Sequence, residues 1–454
     1  MSTLKTVCVV GGGLAGLSTA HHIVKTGVPV NVVILEASGR PGGLLRSERV
    51  GNYVFDTGGS HILFSRDQGL LDEILKLIDV GCVRNYRNAK IYYRGTYVKY
   101  PFENGLSDLP PEERFECVWG ALEAYIKRLK GELKEPANFR EWLHHVFGDG
   151  IAGKYLIPYN EKIWKTDLRE VTLEWVDGRV PLPPLKDIVM SAVGIDVEGY
   201  THQLTFYYPA SGGMESLVKG ILSETLKSGR VEIHVQQPVT KIGENRRGNL
   251  LVETRGLGVD CDAVVYTAPL KRSRGVFSDL LGGSVGGVEG LKSVPLAVVG
   301  LGLSGEVRPY HWVYLPDKGF LPHRVAVLSN FSRANAPPGR VSLIAEVSFG
   351  SEEEMNSLSD EALTSRVYDD VLDTGLLSNA ELEVSGVWRW RDAYVIYDRL
   401  RTPVLKTVEK TLRERGVFLH GRFGAWEYLN MDAVYGKSRA VASEVVKYLQ
   451  LKTS

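Results

Sequence analysis

Cysteine is scarce in this sequence. Only four occur in 454 residues, and Cys8, Cys82, Cys117 and Cys261 stand far apart with no CxxC pair. Structural zinc sites and small disulfide-bonded domains need closely spaced cysteines, so both are excluded as the basis of this fold. The sequence has no other cluster of metal ligands, and we predict no metal. This cysteine usage fits a reducing compartment and predicts a cytoplasmic protein.

Long apolar runs and an excess of charge of one sign are also missing. No segment approaches the roughly 20 apolar residues of a membrane-spanning helix, and the N-terminus lacks a signal-peptide pattern. Lysine plus arginine and aspartate plus glutamate number 54 each, so no overall field attracts nucleic acid or an anionic membrane. We therefore predict no membrane span and no nucleic-acid partner, and an anionic ligand must meet local arginines.

Glycine is plentiful, and its first cluster forms a nucleotide-binding pattern. The N-terminal segment reads TVCVVGGGLAGLSTAHHIVKTG, in which a β-rich run leads into Gly11, Gly13 and Gly16 and then into helix formers. A second strand-like run, VNVVILE, ends in Glu36, where an acid accepts hydrogen bonds from ribose hydroxyls. The alternative, a glycine-rich turn in an unrelated fold, does not account for this order of parts. The pattern predicts a dinucleotide site with the pyrophosphate at a helix N-terminus.

The next segments distinguish a flavin from a nicotinamide cofactor. EASGRPGGLLRS places Arg40, Gly42 and Gly43 just past the acid, and FDTGGSHILF contains the run from Gly58 to His61. These segments resemble the glutathione-reductase-like flavoproteins of the amine oxidase and protoporphyrinogen oxidase group. The resemblance implies FAD, with the glycine pair close to the cofactor and residues 58–61 along the isoalloxazine. The alternative for His61 is a buried core histidine that contacts no ligand.

Two later segments return the chain to the same domain. VEIHVQQPVTKI contains Val239, which matches the position whose backbone meets adenine in these families. The C-terminal EYLNMDAVYGKSRAVASEVVKYL predicts a helix that begins near Asn430 to Asp432 and aims its positive end at the flavin. The resemblance implies the following FAD-binding residues: Gly11, Gly13, Leu14, Ala15, Gly16, Glu36, Ala37, Arg40, Gly42, Gly43, Leu44, Gly58, Gly59, Ser60, His61, Val239, Gly421, Arg422, Asn430, Met431 and Asp432.

Two insertions separate the parts of the nucleotide domain. Apolar residues three and four apart predict helices from about 110 to 193, and alternating or continuous apolar runs predict strands from about 295 to 390. The predicted fold class is α/β: a Rossmann-like FAD-binding domain of glutathione-reductase type with an inserted helical domain and an inserted antiparallel β-sheet domain. We assign residues 1–85, 208–292 and 400–454 to the FAD domain, 106–200 to the helical cap, and 86–105 with 293–399 to the sheet domain. Homo-oligomerisation stays open.

Within this group, several separated motifs resemble the UDP-galactopyranose mutases. They are YVKYPFENGLSDLP, IPYNEKIWKT with WVDGRVPLP, LPHRVAVLSNFSRANAP with VSLIAEVS, and GRFGAW. The first motif is similar to the family in general and the others to its eukaryotic-type enzymes, whereas EYLNMDAV is closer to the bacterial form. Together they span nearly the whole chain in the correct order.

The mutase resemblance implies a UDP-sugar pocket between the two insertions. Arg179 and Arg324 would bind the diphosphate, because a planar guanidinium forms two hydrogen bonds with phosphate oxygens. The implied catalytic residues are His61, Arg179, Arg324 and Asn430. The implied substrate-binding residues are Tyr100, Phe102, Asn160, Trp164, Arg179, Trp312, Tyr314, Arg324, Tyr394 and Tyr428. The alternatives are that each aromatic side chain only packs in the core and that the two arginines are surface charges.

Interconverting a pyranose and a furanose involves no net redox change. The resemblance implies that FAD acts in its reduced form as a nucleophile toward the anomeric carbon, after activation by NAD(P)H or another reductant. Glu103 and Glu427 depart from the family pattern, which leaves the exact sugar open. Two other functions also stay open. One is a flavin oxidase or dehydrogenase of the amine oxidase or porphyrinogen oxidase type, which would favour an apolar funnel, and the other is a non-catalytic sugar-nucleotide-binding flavoprotein.

Overall fold

The computed structural model describes residues 4–176, 182–198, 204–246, 248–281 and 287–452. The strands of these residues are β1 (Lys5–Val10), β2 (Val30–Leu35), β3 (Ser47–Val50), β4 (Tyr53–Asp56), β5 (Cys82–Tyr86), β6 (Ala89–Tyr93), β7 (Thr96–Lys99), β8 (Thr205–Pro209), β9 (Val231–His234), β10 (Lys241–Glu244), β11 (Leu250–Glu253), β12 (Gly258–Cys261), β13 (Ala263–Tyr266), β14 (Ser293–Leu303), β15 (Glu306–Val307), β16 (Trp312–Tyr314), β17 (Arg324–Val327), β18 (Val341–Ser348), β19 (Leu377–Ser378), β20 (Leu382–Val395) and β21 (Val417–Leu419). The helices are α1 (Leu14–Lys25), α2 (Gln68–Lys76), α3 (Pro111–Leu129), α4 (Phe139–Ile151), α5 (Ile157–Trp164), α6 (Leu185–Ala192), α7 (Glu215–Leu226), α8 (Ser278–Leu281), α9 (Leu328–Phe331), α10 (Glu352–Asn356), α11 (Asp360–Asp373), α12 (Arg401–Glu414), α13 (Gly421–Gly424) and α14 (Met431–Leu451).

A five-stranded parallel sheet, in the order β21-β13-β1-β2-β9, forms the nucleotide-binding region. The last four residues of β1, VCVV, form a continuous buried apolar run, as is typical of parallel strands buried on both faces. The chain then turns at Gly11, whose φ of +103° favours glycine. α1 returns so close to β1 that a Cβ at Gly16 would lie 2.0 Å from the carbonyl oxygen of Gly11. The predicted strand, glycine turn and helix are therefore confirmed.

A seven-stranded sheet, in the order β20-β14-β18-β17-β16-β6-β7, forms the second layer. One face packs against α11 through apolar residues that include Val299, Leu343 and Val367. Arg324 on β17 and Glu346 on β18 are direct cross-strand neighbours. The sheet was predicted to be antiparallel, and this is wrong for one pair, since β6 runs parallel to β16. The reason is that β6 comes from a distant earlier segment that enters the sheet beside β16 in the same direction.

Helices α3 to α6 form the cap. Asn138 is the N-cap residue of α4, and its side chain accepts a hydrogen bond from the backbone N–H of Glu141 at 3.0 Å, which compensates for the missing intrahelical partner. α3 and α4 pack against each other, and α6 lies beside α3. A π-helical turn, Ala152–Leu156, joins α4 to α5.

The predicted fold class is confirmed, since the parallel sheet carries an inserted helical region and an inserted mixed sheet. α14 begins at Met431 with Asn430 as its N-cap residue, as the sequence predicted. Among the residues described, no helix combines the length and the apolar character that crossing a membrane requires. The same residues contain no group of three or more histidine, cysteine or acidic side chains suited to a metal ion.

Candidate active site

A cavity of about 650 Å³ opens at the carboxyl ends of the parallel strands. Its floor includes Gly11 and Gly13, which bring the backbone of the β1–α1 turn directly to the cavity. Glu36 is fixed at its edge, because its carboxylate accepts hydrogen bonds from the backbone N–H groups of Gly12 and Ser38, both at 2.8 Å. An acid at the end of β2 and exposed glycine backbone at a helix N-terminus suit the ribose and pyrophosphate of a dinucleotide. The residues present therefore fit FAD.

Most of the predicted cofactor residues lie at this cavity or at the adjoining one. Those that line one or both cavities are Gly11, Gly13, Leu14, Ala15, Glu36, Ala37, Gly42, Gly43, Leu44, Gly58, Gly59, Ser60, His61, Val239, Arg422, Asn430 and Met431. Four predicted residues line neither cavity: Gly16, Arg40, Gly421 and Asp432.

These four residues have other positions in the structure. Arg40 pairs with Glu48 at 2.6 Å and so supports the β3 hairpin. Gly16 allows α1 to approach β1, and a Cβ at Gly421 would lie 2.5 Å from the Cβ of Ala15. Asp432 lies in the first turn of α14. None of the four forms part of the cavity walls, and their role in FAD binding stays a prediction.

A second cavity of about 350 Å³ adjoins the first and lies under the cap. The two share the wall residues Leu44, His61, Arg422 and Met431. The second cavity is lined largely by aromatic and cationic side chains. They are Phe64, Arg87, Tyr100, Tyr159, Trp164, Trp175, Trp312, Tyr314, Arg324, Tyr394, Arg422 and Tyr428.

The buried carboxylate of Glu346 fixes the position of Arg324, one of the arginines that line this cavity. The guanidinium of Arg324 donates to both oxygens of Glu346, with Nη2 at 2.7 Å from each and Nε at 3.0 Å from Oε1. The Tyr394 hydroxyl donates to Oε2 at 2.9 Å, and the backbone N–H of Ser60 donates to Oε1 at 3.1 Å. Burial would raise the pKa of Glu346, but the positive charge of Arg324 and the hydrogen bonds hold it well below the usual range. Glu346 therefore stays ionised and orients Arg324.

His61 stays neutral at the junction of the two cavities. Burial, with a further contribution from the positive charge of Arg422, lowers the pKa of His61 from 6.5 to about 4. Its Nδ1 lies 3.1 Å from the carbonyl oxygen of Gly59. We assign the proton to Nδ1, since only a ring N–H donates to a carbonyl, which leaves the lone pair on Nε2. His61 can therefore accept a proton or a hydrogen bond at Nε2.

Arg87 lies over two aromatic rings of the same cavity. Its guanidinium carbon is 5.2 Å from the ring centre of Tyr100 and 4.9 Å from that of Trp312. It also donates to the hydroxyl of Tyr314 at 3.1 Å. Tyr100 and Tyr314 stack with their ring centres 4.6 Å apart. A cation held over a stack of rings suits a ligand that carries both negative charge and an aromatic group.

The sequence missed several residues of this site. Arg87, Tyr159, His323 and Glu346 line the second cavity, and none of them was predicted to be a site residue. Glu346 carried a signal, because it is the only charged residue in the apolar strand VSLIAEVS. Tyr159 and His323 lie in two of the motifs that resemble the mutases, IPYNEKIWKT and LPHRVAVLSNFSRANAP, whereas Arg87 lies in no pattern that identifies a ligand-binding residue.

Two of the predicted substrate residues are not observed at the cavity, for different reasons. Phe102 is fully buried and packs on Tyr155 and Tyr93, with ring centres 5.1 and 5.6 Å apart, so it does not line the cavity. The 3-10 turn Phe102–Asn104 directs its ring into the core. Arg179 lies outside the described residues. The remaining predicted substrate residues line the cavity: Tyr100, Asn160, Trp164, Trp312, Tyr314, Arg324, Tyr394 and Tyr428.

Lys162 fastens the cap helix α5 to the loop that precedes Arg324. Its Nζ donates to three backbone carbonyl oxygens, those of Leu315 at 2.8 Å, Asp317 at 2.7 Å and Pro322 at 2.8 Å. These bonds offset only part of the cost of removing the ammonium group from water, because burial and the nearby charge of Lys165 lower the pKa of Lys162 from 10.5 to about 7. Lys162 thus positions one wall of the cavity relative to another.

Replacing Lys162 by methionine should destabilise the protein. Methionine fills a similar volume but leaves three carbonyl oxygens without this donor, two of them in buried hydrogen bonds, so we expect the free energy of unfolding to fall by about 3 kcal/mol. The measurement is urea denaturation of the FAD-loaded protein. Lys406, an exposed residue of α12, provides the matched K406M control. Equal stability of K162M and K406M would show that the three bonds are not stabilising.

Acid should destabilise the protein below neutral pH. Burial lowers the pKa from 6.5 to about 4 for five interior histidines: His22, His61, His311, His323 and His420. The unfolded chain binds their protons more readily, so their contribution to stability is complete above pH 6.5 and is lost as the pH falls towards 4. Asp56 and Glu103 have the opposite effect on stability. Burial raises their pKa to about 6 and about 7, so their protonation on acidification favours the folded protein.

The histidines outnumber these carboxyl groups, so the urea midpoint should be lower at pH 5 than at pH 7. Tryptophan fluorescence reports this midpoint. In H323Q the difference between the two midpoints should shrink, because one of the five groups is removed. A midpoint that rises on acidification would contradict the prediction.

Comparison with known proteins supports a flavoprotein. Residues 14–395 match the family described as flavin containing amine oxidoreductases. Coproporphyrinogen III oxidase of Bacillus subtilis is 22% identical over 98% of each chain, and protoporphyrinogen oxidase of Homo sapiens is 24% identical over 70% of this chain and 69% of its own.

Solved structures give a related result. A crystal structure of reduced UDP-galactopyranose mutase superposes with a TM-score of 0.87 and 25% identity, over 98% of this chain and 94% of that one. A putative protoporphyrinogen oxidase from Exiguobacterium superposes with a TM-score of 0.76 and 18% identity over 99% of both chains, which shows the shared fold. The chain belongs to the family of flavin-containing amine oxidoreductases, and its cofactor is FAD.

Proposed function

We propose that the protein is a flavin-dependent mutase that interconverts UDP-galactopyranose and UDP-galactofuranose or a related nucleotide sugar. The observation that carries the proposal is the cavity beside the FAD site, which combines tyrosine and tryptophan rings with three arginines, Arg87, Arg324 and Arg422. The similarity to reduced UDP-galactopyranose mutase over 98% of the chain supports the same function.

The charge of the cavity suits a diphosphate. Arg87, Arg324 and Arg422 are cationic, and Glu346 offsets one of these charges. His323 adds no charge near neutral pH, because burial lowers its pKa to about 4. The described lining of this cavity therefore carries more arginines than carboxylates, which suits a diphosphate. The aromatic rings provide surfaces on which a base and a sugar can pack.

Reduced FAD, when bound, supplies a nucleophile for the anomeric carbon in a reaction with no net redox change. Arg324, held by Glu346, would stabilise the negative charge that develops on the departing diphosphate. His61 would accept a hydrogen bond at Nε2 beside the reacting centre, and Asn430 would lie between cofactor and sugar. Arg179 is retained as a proposed second diphosphate ligand.

The proposal assigns FAD binding and sugar-nucleotide binding to three regions of the chain. Residues 1–85, 208–292 and 400–454 would hold FAD, and the cap (106–200) and the sheet region (86–105 with 293–399) would enclose the sugar nucleotide. The protein would act in the cytoplasm and would depend on NAD(P)H or another reductant for activation.

A porphyrinogen oxidase is the second candidate. It is supported by the full-length similarity to coproporphyrinogen III oxidase of Bacillus subtilis. An oxidase must remove electrons from a C–N or C–C bond, and an apolar funnel would suit that task better than three arginines and a buried carboxylate. For this reason we place the mutase first.

One experiment separates the two candidates. The FAD-loaded protein is reduced with dithionite and incubated with UDP-galactofuranose, and formation of UDP-galactopyranose is followed by chromatography. We expect interconversion only with the reduced protein, and the unreduced protein is the control. Oxidation of coproporphyrinogen III with oxygen consumption, without sugar interconversion, would favour the oxidase. A change in the flavin spectrum with UDP but no turnover of either substrate would favour a binding protein.

A further inference from the structure

The cap helix α3 carries an apolar stripe on its solvent side. Phe115, Trp119, Ile126 and Leu129 are exposed by 65, 56, 46 and 71%, and Leu122 is partly exposed between them. The residues that α3 buries are Cys117, Ala121 and Ala124. With 100° per residue, the two sets lie on opposite sides of the helix. We call the set Phe115, Trp119, Leu122, Ile126 and Leu129 the outer stripe.

The outer stripe has the spacing of a helix-pairing seam. Its members are separated by four, three, four and three residues, which is the a/d pattern of a heptad repeat. Phe115 and Trp119 already stack, with ring centres 6.2 Å apart. Large exposed apolar patches of this kind mark interaction sites, whereas scattered apolar residues do not. The regular spacing indicates that another helix covers the stripe.

The charges along α3 indicate which helix covers the outer stripe. The first half of α3 carries three acids and one base, Glu112, Glu113, Glu116 and Arg114. The residues from 121 to 130 carry one acid and three bases: Glu123, Lys127, Arg128 and Lys130. A copy of α3 that runs antiparallel to the first places each acidic half against a basic half. The helix is therefore complementary to itself.

We propose that α3 forms the two-fold interface of a homodimer of this chain, paired antiparallel through the outer stripe. In the register that opposes Trp119 to Leu129 and Leu122 to Ile126, Glu116 lies beside Lys130 of the second copy. Both charged side chains remain accessible, at 60 and 61% exposure, although Glu116 also pairs with Lys154 and Lys130 with Glu132 within the chain.

The neighbouring helix enlarges the proposed interface. A stable interface buries roughly 800 Å² per partner, which is more than one side of a helix about 28 Å long can supply. α6 lies beside α3, and it exposes Val189 while Val193 just beyond its end is 68% exposed. An anionic membrane is a poorer occupant, because acids and bases on α3 balance.

The first test measures mass against concentration by sedimentation velocity with the FAD-loaded full chain. Trp119→Glu and Ile126→Glu place charges in the seam on both copies, and we expect each to weaken the dimer by roughly 100-fold or more. Leu226→Glu is the control, since Leu226 is an exposed apolar helical residue outside the stripe, 45% exposed. A wild-type protein that stays monomeric at all concentrations, or one that dimerises equally with W119E, overturns the proposal.

A charge exchange tests the antiparallel arrangement. Glu116→Lys alone places two lysines opposite each other, and Lys130→Glu alone places two glutamates opposite each other, so each variant should dimerise roughly 10-fold more weakly than wild type. Mixing the two variants restores opposite charges at both contacts and should restore the wild-type affinity. If the mixture is as weak as the separate variants, or if wild-type monomers instead float with anionic vesicles, the proposed occupant is wrong.

Discussion

Replacing Gly13 by valine should give a folded protein that has lost its FAD. Gly13 has extended backbone angles, φ −78° and ψ −178°, which valine also adopts. A Cβ there would meet no atom closer than 4.0 Å, the distance to the Cα of Gly43. The added methyl groups would instead fill the wall of the FAD cavity where the backbone must approach a pyrophosphate. We expect roughly a 100-fold loss of FAD affinity or more, since overfilling a fitted site costs about 1–3 kcal/mol and the pyrophosphate contact is lost as well.

The measurement is the ratio of flavin absorbance to protein, with circular dichroism to establish folding. Gly256 provides the control, because it lies in an exposed hairpin, has nothing within 4 Å of an added Cβ and should tolerate valine with full FAD content. Gly16→Ala provides the contrast, since its Cβ would press on the carbonyl of Gly11 and disturb the fold itself. Full FAD content in G13V would mean that the cofactor does not approach this turn.

The FAD site could be predicted from the sequence because local patterns determine it. Gly11, Gly13 and Glu36 belong to one strand, turn, helix and strand, and neighbouring residues fix their geometry. The same holds for Asn430, which precedes the long amphipathic pattern of α14. The residues of such a motif determine its local structure without contacts from distant segments.

The substrate cavity was predicted less completely because its residues meet only through tertiary packing. Glu346 contacts Arg324 because β17 and β18 pair in one register, and a shift by one residue would point the side chains to opposite faces. Arg87 follows β5, which pairs with β8 in a separate two-stranded sheet, and it reaches Trp312 on β16 of the seven-stranded sheet. No sequence pattern predicts these contacts between separate elements.

Phe102 was predicted to line the substrate cavity, but it does not. It lies in a motif that resembles the mutases, two residues after Tyr100, which does line the cavity. A motif identifies positions, but the direction of each side chain depends on what the neighbouring elements bury. Here the ring of Phe102 fills the cap interior against Tyr155.

Substitutions at Arg324 and Glu346 should separate the structural and ligand-binding roles of this pair. Arg324→Met leaves the buried carboxylate without its cation, and Glu346→Gln leaves the guanidinium beside a neutral amide. We expect Arg324→Met to lower the free energy of unfolding by about 3–5 kcal/mol, because it leaves the buried Glu346 carboxylate uncompensated. Glu346→Gln should lower it less, because the Arg324 side chain is 25% exposed. The double variant R324M/E346Q removes both charges and should recover most of that stability.

Affinity for UDP should not recover with the stability. A phosphate contact from a fixed guanidinium contributes about 2–5 kcal/mol, so R324M and the double variant should both bind UDP at least roughly 30-fold more weakly. Calorimetry or flavin difference spectra report this affinity, and FAD content should stay unchanged. Arg255, an exposed hairpin residue, provides the R255M control. A stable double variant with wild-type affinity would exclude Arg324 as a diphosphate ligand, whereas single variants as stable as wild type would show that the Glu346 contact is not essential to the fold.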